Sequence, residues 1–224
     1  MNWEDISKTY VITIPGSTRQ EVTAYEMRQQ NIPFEWWNGI KKENGEEGIR
    51  ETLFQIFENC LKKGFNNVLI FEDDVHFLFS DAYYRIEKCL NDLPEDYDLC
   101  KFGANLLVPV DAYSDHLNVL NGSYALHAVL YSRKCMEEIL KHRDKTYYAI
   151  DIVICNEIEM KREYSYVSKE MIATQRTTVS SIFKYNSEKH NNQIVNEIYN
   201  QETGEINWHS FMVNQWERNT KHLK

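Results

Sequence analysis

Apolar and polar positions along this chain switch between a two-residue and a 3.6-residue period, and the switch points divide it into strands and helices. Residues 9–14, Thr-Tyr-Val-Ile-Thr-Ile, are a β-branched and aromatic run closed by Pro15-Gly16, which predicts a first strand and a turn. Ser17 or Thr18 is placed to cap a helix over about 19–31, with Val22, Tyr25 and Met27–Ile32 as loosely spaced apolar positions and Pro33 as its stop. Phe34-Glu35-Trp36-Trp37 predicts a second strand, ended at Asn38-Gly39, and 41–48 a polar, glycine-punctuated loop. Residues 49–62 carry Ile49, Leu53, Ile56, Phe57, Cys60 and Leu61 at helical spacing, closed by Gly64. A third strand is expected over 67–72, a helix over 82–93 before Pro94, and a buried strand over 98–102 ended by Gly103-Ala104-Asn105. A longer strand follows over 124–131, then a helix capped by Ser132 and reaching about His142. Residues 150–160 suit a buried helix or a buried strand, and their length favours helix; 164–167 and 171–174 are short strands. Strands alternating with helices predict an α/β fold, a mostly parallel central sheet flanked by helices. From Lys184 onward the chain is rich in Asn, Gln, Glu and Lys, with apolar content concentrated at Ile206, Trp208 and Phe211 to Trp216. The expected organisation is one domain over 1–183 and a polar C-terminal extension or lid over 184–224.

The third strand ends unusually: Val68-Leu-Ile-Phe-Glu-Asp-Asp-Val75 runs an apolar segment straight into three acids. Adjacent carboxylates repel one another and are costly to desolvate. A hard divalent cation, Mn²⁺ or Mg²⁺, resolves the conflict by taking carboxylate oxygens and filling its remaining positions with substrate phosphates. Glu72 and Asp74 have the i, i+2 spacing that points two side chains the same way in an extended segment, so they are the candidate metal ligands, with Asp73 facing elsewhere, toward a sugar. The competing reading is a solvated acidic turn. The carboxyl end of a strand is where α/β sheets place their ligands.

Bulk numbers narrow the class. The 224 residues suffice for one domain with a sizeable core, and a net charge of −9 argues against a nucleic-acid-binding surface and a polybasic membrane anchor. Five widely spaced cysteines without a CxxC pair read as buried thiols of a reducing compartment. The N-terminus shows no secretory signal and no apolar run approaches the ~20 residues that span a bilayer, so a cytoplasmic location is expected, with peripheral membrane contact left open. The loop Pro15-Gly16-Ser17-Thr18-Arg19 offers backbone N–H groups and a helix start to a nucleotide, and Arg19 a bidentate partner for a diphosphate; an ordinary turn with a surface arginine explains it nearly as well. No GxGxxG or GxxxxGK[ST] motif is present.

Several segments, taken in order, resemble the lipooligosaccharide and lipopolysaccharide glycosyltransferases of family 25, relatives of the collagen galactosyltransferases. Tyr10-Val-Ile-Thr-Ile-Pro-Gly-Ser-Thr-Arg19 resembles the family's opening strand and arginine-bearing loop, and Ile32-Pro-Phe-Glu-Trp-Trp-Asn-Gly39 its second strand. Gly45-Glu-Glu-Gly48 and the following helix resemble "GxxGCxxSH", Leu69-Ile-Phe-Glu-Asp-Asp-Val75 resembles "LILEDDV", and Asp98-Leu-Cys-Lys-Phe-Gly-Ala-Asn105 resembles "DLxxLGxN". Gly122 to Arg133 resembles "GTHAYxVSR", and Asp151 with Gln175 and Ser180-Ser181-Ile182 the closing "D…Q…SDI" elements. The likeness covers about 8–182. The family's Ser-His pair is replaced by Thr52-Leu53, and its "SDI" by Ser180-Ser181-Ile182.

The resemblance implies a GT-A-like nucleotide-diphospho-sugar transferase fold and a metal-dependent, inverting transfer of a hexose, galactose or glucose, from a UDP-sugar to a glycan or glycoconjugate acceptor. Asp151 becomes the candidate general base; it also suits the cap of the helix that follows. His127 is either a third metal ligand or a satisfied core histidine. Asn105 is either a contact to sugar hydroxyls or a turn residue, and Gln175 is a weaker candidate of the same type. Trp36, Trp37, Tyr124, Tyr131, Tyr147 and Tyr148 are aromatic faces available to uridine or sugar, none assigned individually. Two other readings stay open: a degenerate domain kept as a sugar- or nucleotide-binding module, and another phosphate-handling metal enzyme.

Overall fold

A computed structural model of the chain describes residues 1–145, 149–176 and 207–223. Its strands are β1 (Thr9–Thr13), β2 (Glu35–Asn38), β3 (Asn67–Glu72), β4 (Val75–Phe77), β5 (Leu99–Lys101), β6 (Asn105–Leu106), β7 (Asp111–Ala112), β8 (Leu117–Val119), β9 (Ser123–Tyr124), β10 (Ala128–Ser132), β11 (Ser165–Ser168) and β12 (Ala173–Gln175). Its α-helices are α1 (Gln20–Gln29), α2 (Gly45–Lys62), α3 (Ala82–Asp92), α4 (Arg133–Leu140), α5 (Ile150–Ile154) and α6 (Trp208–Thr220).

Eight strands form one sheet in the order β2-β1-β3-β10-β5-β11-β8-β7. The pairs β1/β2, β1/β3 and β5/β11 are parallel, whereas β10 runs antiparallel to both β3 and β5. Only β10 and β8 oppose the common direction, so the sheet is mostly parallel, as the alternation of elements predicts. Both faces are covered. Tyr10, Ile12, Val68, Ile70, Val129 and Tyr131 pack against Leu53, Ile56 and Phe57 of α2 and the helices beside it. The alternate residues Val11, Leu69, Phe71, Ala128 and Leu130 meet Met27 of α1 and Ile86 and Leu90 of α3. Two buried faces explain why the strands read as continuous apolar runs.

Two of the expected elements differ from the sequence reading, and a third, over 150–160, is helical as its length favours but changes pitch. Helix α2 starts at Gly45 rather than 49, because the Asn44 side chain accepts from the Glu46 N–H and Glu46 and Glu47 complement the helix start. Gly48 lies inside that helix because a Cβ there would stand 2.5 Å from the Ile40 carbonyl oxygen. The strand expected over 124–131 is broken at Ala125, which adopts φ 71°. Its first part, β9, pairs with β6, and only β10 enters the main sheet. The segment 150–160 is α5 continued by a π-helical turn, Cys155–Glu159. The described part of the C-terminal stretch carries α6, whose Met212 and Trp216 are buried in the main core and whose Asn219 Nδ2 donates to the Leu106 carbonyl at 2.9 Å. All five cysteines are free and buried. Among the described residues no helix is long and apolar enough to cross a membrane.

Gly103 marks a close backbone crossing. A Cβ there would stand 1.8 Å from the Ala173 carbonyl oxygen and 2.8 Å from His127 Nε2. Backbone cannot yield as a flexible side chain does, so Gly103→Ala is expected to cost about 3 kcal/mol, read as a lower urea midpoint with an unchanged slope. A variant as stable as the parent would refute the crossing.

Candidate active site

The parallel register Ile12↔Glu72 brings the ends of β1 and β3 to one edge of the sheet, and the crossing β10 places His127 beside them through the bond from Glu72 N–H to the His127 carbonyl at 3.2 Å. Residues 73–74 form a turn rather than an extended segment. Glu72 and Asp74 nevertheless converge: the Gln175 amide nitrogen lies 3.4 Å from Glu72 Oε2 and 3.4 Å from Asp74 Oδ2. Gln175 reaches them because β12 pairs with β4, setting Gln175 opposite Val75.

Asp73 points the other way. Its Oδ2 accepts from Thr13 Oγ1 at 2.7 Å, and its Oδ1 lies 3.3 Å from Arg19 Nη1. The same Nη1 is 3.7 Å from Asp74 Oδ2. Arg19 is set at the start of α1 by the turn after β1, where Gly16 takes φ 82° and the Ser17 hydroxyl accepts the Arg19 N–H at 3.3 Å. Pro15, Gly16 and Ser17 therefore shape the loop that aims Arg19 at the acids.

Electrostatics at this edge are strained. Burial, then the charges of Asp74, Asp73 and Asp151, push the Glu72 carboxyl well above the usual glutamate range, and Arg19 offsets only part of it. Burial pushes Asp74 up to about 6, against the opposing pull of Arg19. Asp74 Oδ1 is buried with no hydrogen-bond partner. Two converging carboxylates that resist ionisation, one with an orphaned oxygen, fit a divalent cation as their missing counter-charge. Among the described residues no group of three or more His, Cys, Asp or Glu is arranged to hold a metal, so Glu72 and Asp74 are the protein donors such an ion would find.

His127 is not grouped with them. It is fully buried, its Nε2 lies 3.1 Å from the Ala173 carbonyl, and burial lowers its pKa to about 4. A carbonyl only accepts, so the neutral ring carries its proton on Nε2 and leaves Nδ1 unprotonated, buried and without a partner. Asp151 lies in the first turn of α5, but Ala149 holds the cap position; Asp151 Oδ1 accepts from the Ile152 N–H at 2.9 Å. Asn105 is in β6 rather than in a turn, and its Oδ1 is buried without a partner. Of the aromatic candidates, Tyr131 is fully buried and Trp37 packs edge-on against Tyr10, while Trp36 stays 37% exposed. Tyr147, Tyr148 and Ser180-Ser181-Ile182 lie outside the described residues.

The structure adds residues that the sequence reading passes over. Thr23, fully buried on α1, sets its hydroxyl 2.6 Å from the Asp73 carbonyl and accepts from Arg176 Nη1 at 3.0 Å. Arg176 N–H donates to the Asp74 carbonyl at 2.8 Å, and its guanidinium pairs with Glu26 at 3.0 Å. A cavity of about 340 Å³ opens beside this clamp, lined by Glu26, His76, Gln175, Arg176 and His209. Further along the same sheet edge, Lys101 at the end of β5 and Glu159 in the π-helical turn form an ion pair at 2.8 Å with both side chains fully buried. Ser123 completes it, accepting from Lys101 Nζ at 2.8 Å and donating its backbone N–H to Glu159 Oε2 at 2.6 Å. A threonine on a helix face or a lysine inside an apolar strand is the available signal for these residues.

No protein-family model matches the chain, and no curated protein matches it in sequence. Among solved structures, A197 from STIV is 14% identical with a TM-score of 0.46, over 76% of this chain and 85% of that one. Mannose-1-phosphate geranyltransferase from Thermus thermophilus is 10% identical with a TM-score of 0.47, over 73% of each chain. A glycosyltransferase involved in glycosylation of the major capsid of PBCV-1 is 10% identical with a TM-score of 0.47, over 71% of this chain and 79% of that one. At TM-scores below 0.5 none of them decides what this chain does.

Proposed function

We propose that the chain is a metal-dependent, inverting glycosyltransferase that moves a hexose from a UDP-sugar to a glycan or glycoconjugate acceptor. The observation that carries this reading is the convergence of Glu72 and Asp74 on one point, with Arg19 beside them and an Asp74 oxygen left without a partner. Glu72 and Asp74 would hold Mn²⁺ or Mg²⁺, which when bound neutralises charge developing on the departing diphosphate. Arg19 would add a cationic partner for that diphosphate. Asp73 is a positioning residue, tying Arg19 to Thr13. In the transfer, an acceptor hydroxyl oxygen forms a bond to the anomeric carbon from the face opposite the departing UDP, the carbon–oxygen bond to UDP breaks, and the hydroxyl proton passes to a base. Asp151 supports the base role: its charge is felt by Glu72, and Oδ2 is the oxygen not engaged by Ile152. Asn105, with its orphaned amide oxygen, would take a sugar hydroxyl.

Thermal stability with UDP, GDP, CDP and ADP, each with and without Mn²⁺, tests the reading. A ligand that binds only the native state raises the melting temperature, by roughly 2.7 kcal/mol of added stability at a hundredfold excess over Kd. UDP should shift the transition only with Mn²⁺, and the shift should vanish in Glu72→Ala and Asp74→Ala. Absence of a shift with every nucleotide would sink the donor-site reading. Hydrolysis of a UDP-sugar without acceptor then separates a catalyst from a binding module.

A further inference from the structure

We propose that the groove between α1 and the edge strand β2 binds a neutral saccharide: the part of a glycan acceptor that lies beyond the sugar taking part in transfer. The acceptor role rests on the transferase reading above; the saccharide site does not. The groove is an open surface depression of about 510 Å³ lined by Gln20, Glu21, Ala24, Tyr25, Arg28 and Trp36. Both of its aromatic residues are exposed, Tyr25 at 57% and Trp36 at 37%. Trp36 is placed by its strand, opposite Val11 in register, and makes an edge-on contact with Phe34 at 5.0 Å. Tyr25 belongs to the apolar pattern of α1 yet is not in the core, which Met27 supplies from the opposite face.

The polar residues match the same ligand. Among the described residues, the side chains of Gln20, Glu21 and Arg28 make no hydrogen bond or ion pair, although each is a planar group able to grip two neighbouring hydroxyls. One acid and one base leave the groove without net charge, which disfavours a nucleotide or a phosphorylated ligand. Aromatic faces for the C–H side of a pyranose, and planar polar groups for its hydroxyls, are the chemistry of saccharide recognition. Position supplies the link to transfer. Gln20 lines the groove one residue after Arg19, so the groove begins at the same helix start that carries Arg19 toward Asp73 and Asp74.

The test uses the intact protein and neutral probes: maltotetraose, chitotetraose and β-1,4-galactotetraose, read by tryptophan emission and saturation-transfer NMR. At least one probe should bind, and binding should weaken about tenfold or more in Trp36→Ala, the loss typical of a truncated aromatic anchor. Tyr25→Ala should act similarly, and as an exposed position it guards against misfolding of the Trp36 variant. Binding should survive in Glu72→Gln with EDTA. No binding of any probe, or binding unchanged in both aromatic variants, overturns the saccharide site. So does a Trp36→Ala variant that changes only self-association in sedimentation. Saccharide binding at Trp36 with no nucleotide shift would keep the site but overturn its acceptor role together with the transferase reading.

Discussion

Asp74→Asn and Glu72→Gln are each expected to melt higher than the parent in EDTA while losing the stabilisation that Mn²⁺ gives. Both acids are held at a buried edge beside a third, and both are driven toward the neutral form, Asp74 to about 6. At a pH where the unfolded chain ionises both freely, the native chain must either ionise them at a buried edge or retain protons, and either way stability is lost. An isosteric amide removes that cost while leaving a hydrogen-bond acceptor in place. The gain should be about 1–3 kcal/mol, since a tenfold change in an ionisation equilibrium between the folded and unfolded chain is worth about 1.4 kcal/mol. For a chain of this length that is roughly 2–10 °C. A stabilising substitution that removes function is the signature of residues kept for a site rather than for the fold. Calorimetry in EDTA and then with added Mn²⁺ decides it: amide variants that melt lower than the parent in EDTA would show that these acids support the fold.

The largest loss of stability should come from Lys101→Met. Lys101 and Glu159 are both fully buried and pair at 2.8 Å, with Ser123 bound to each. Removing one partner strands the other charge away from water, which costs about 3–5 kcal/mol. Lys101→Met with Glu159→Gln removes both charges and keeps an amide oxygen for the Ser123 N–H, so most of the loss should return. Urea unfolding of the parent, the single variant and the double variant closes the comparison. A single variant as stable as the parent would refute the buried pair. The pair also fixes the π-helical turn that continues α5, so the double variant should fold and yet place Asp151 less firmly.

Much of the fold is legible in the sequence because its signals are local. The strand over 67–72, the stop at Pro33 and the Ser132 cap rest on β-branched runs and terminus chemistry, and Ser132 Oγ does accept the Cys135 N–H. What escapes is long-range. Nothing near Ala125 announces a positive φ, and Gly48 looks like loop because its purpose, room for the Ile40 carbonyl, lies outside its own segment. The acids at 72–74 are visible as a group because carboxylates after an apolar strand need a reason. Their supports are not: Thr13, Thr23 and Arg176 are ordinary residues until the sheet brings them to Asp73 and Asp74. Gln175 is a candidate sugar contact from its residue type alone, and the β12/β4 pairing that brings it between the carboxylates is not visible in its own segment.

Strand β10 has a kinetic consequence. It is the one strand joining the β2-β1-β3 side of the main sheet to the β5-β11-β8-β7 side, and it runs against both neighbours. The acids and Arg19 lie on the first side, Lys101 on the second. During synthesis β3 waits for a partner some sixty residues downstream, exposing an apolar edge meanwhile. Closing that loop is an entropic toll levied before any of the pairing is gained, which places the chain among slow folders, on the order of milliseconds to seconds. Until β10 docks the sheet lacks its join, whereas the pairing of β1 with β3 already brings Arg19 and the acids to one end.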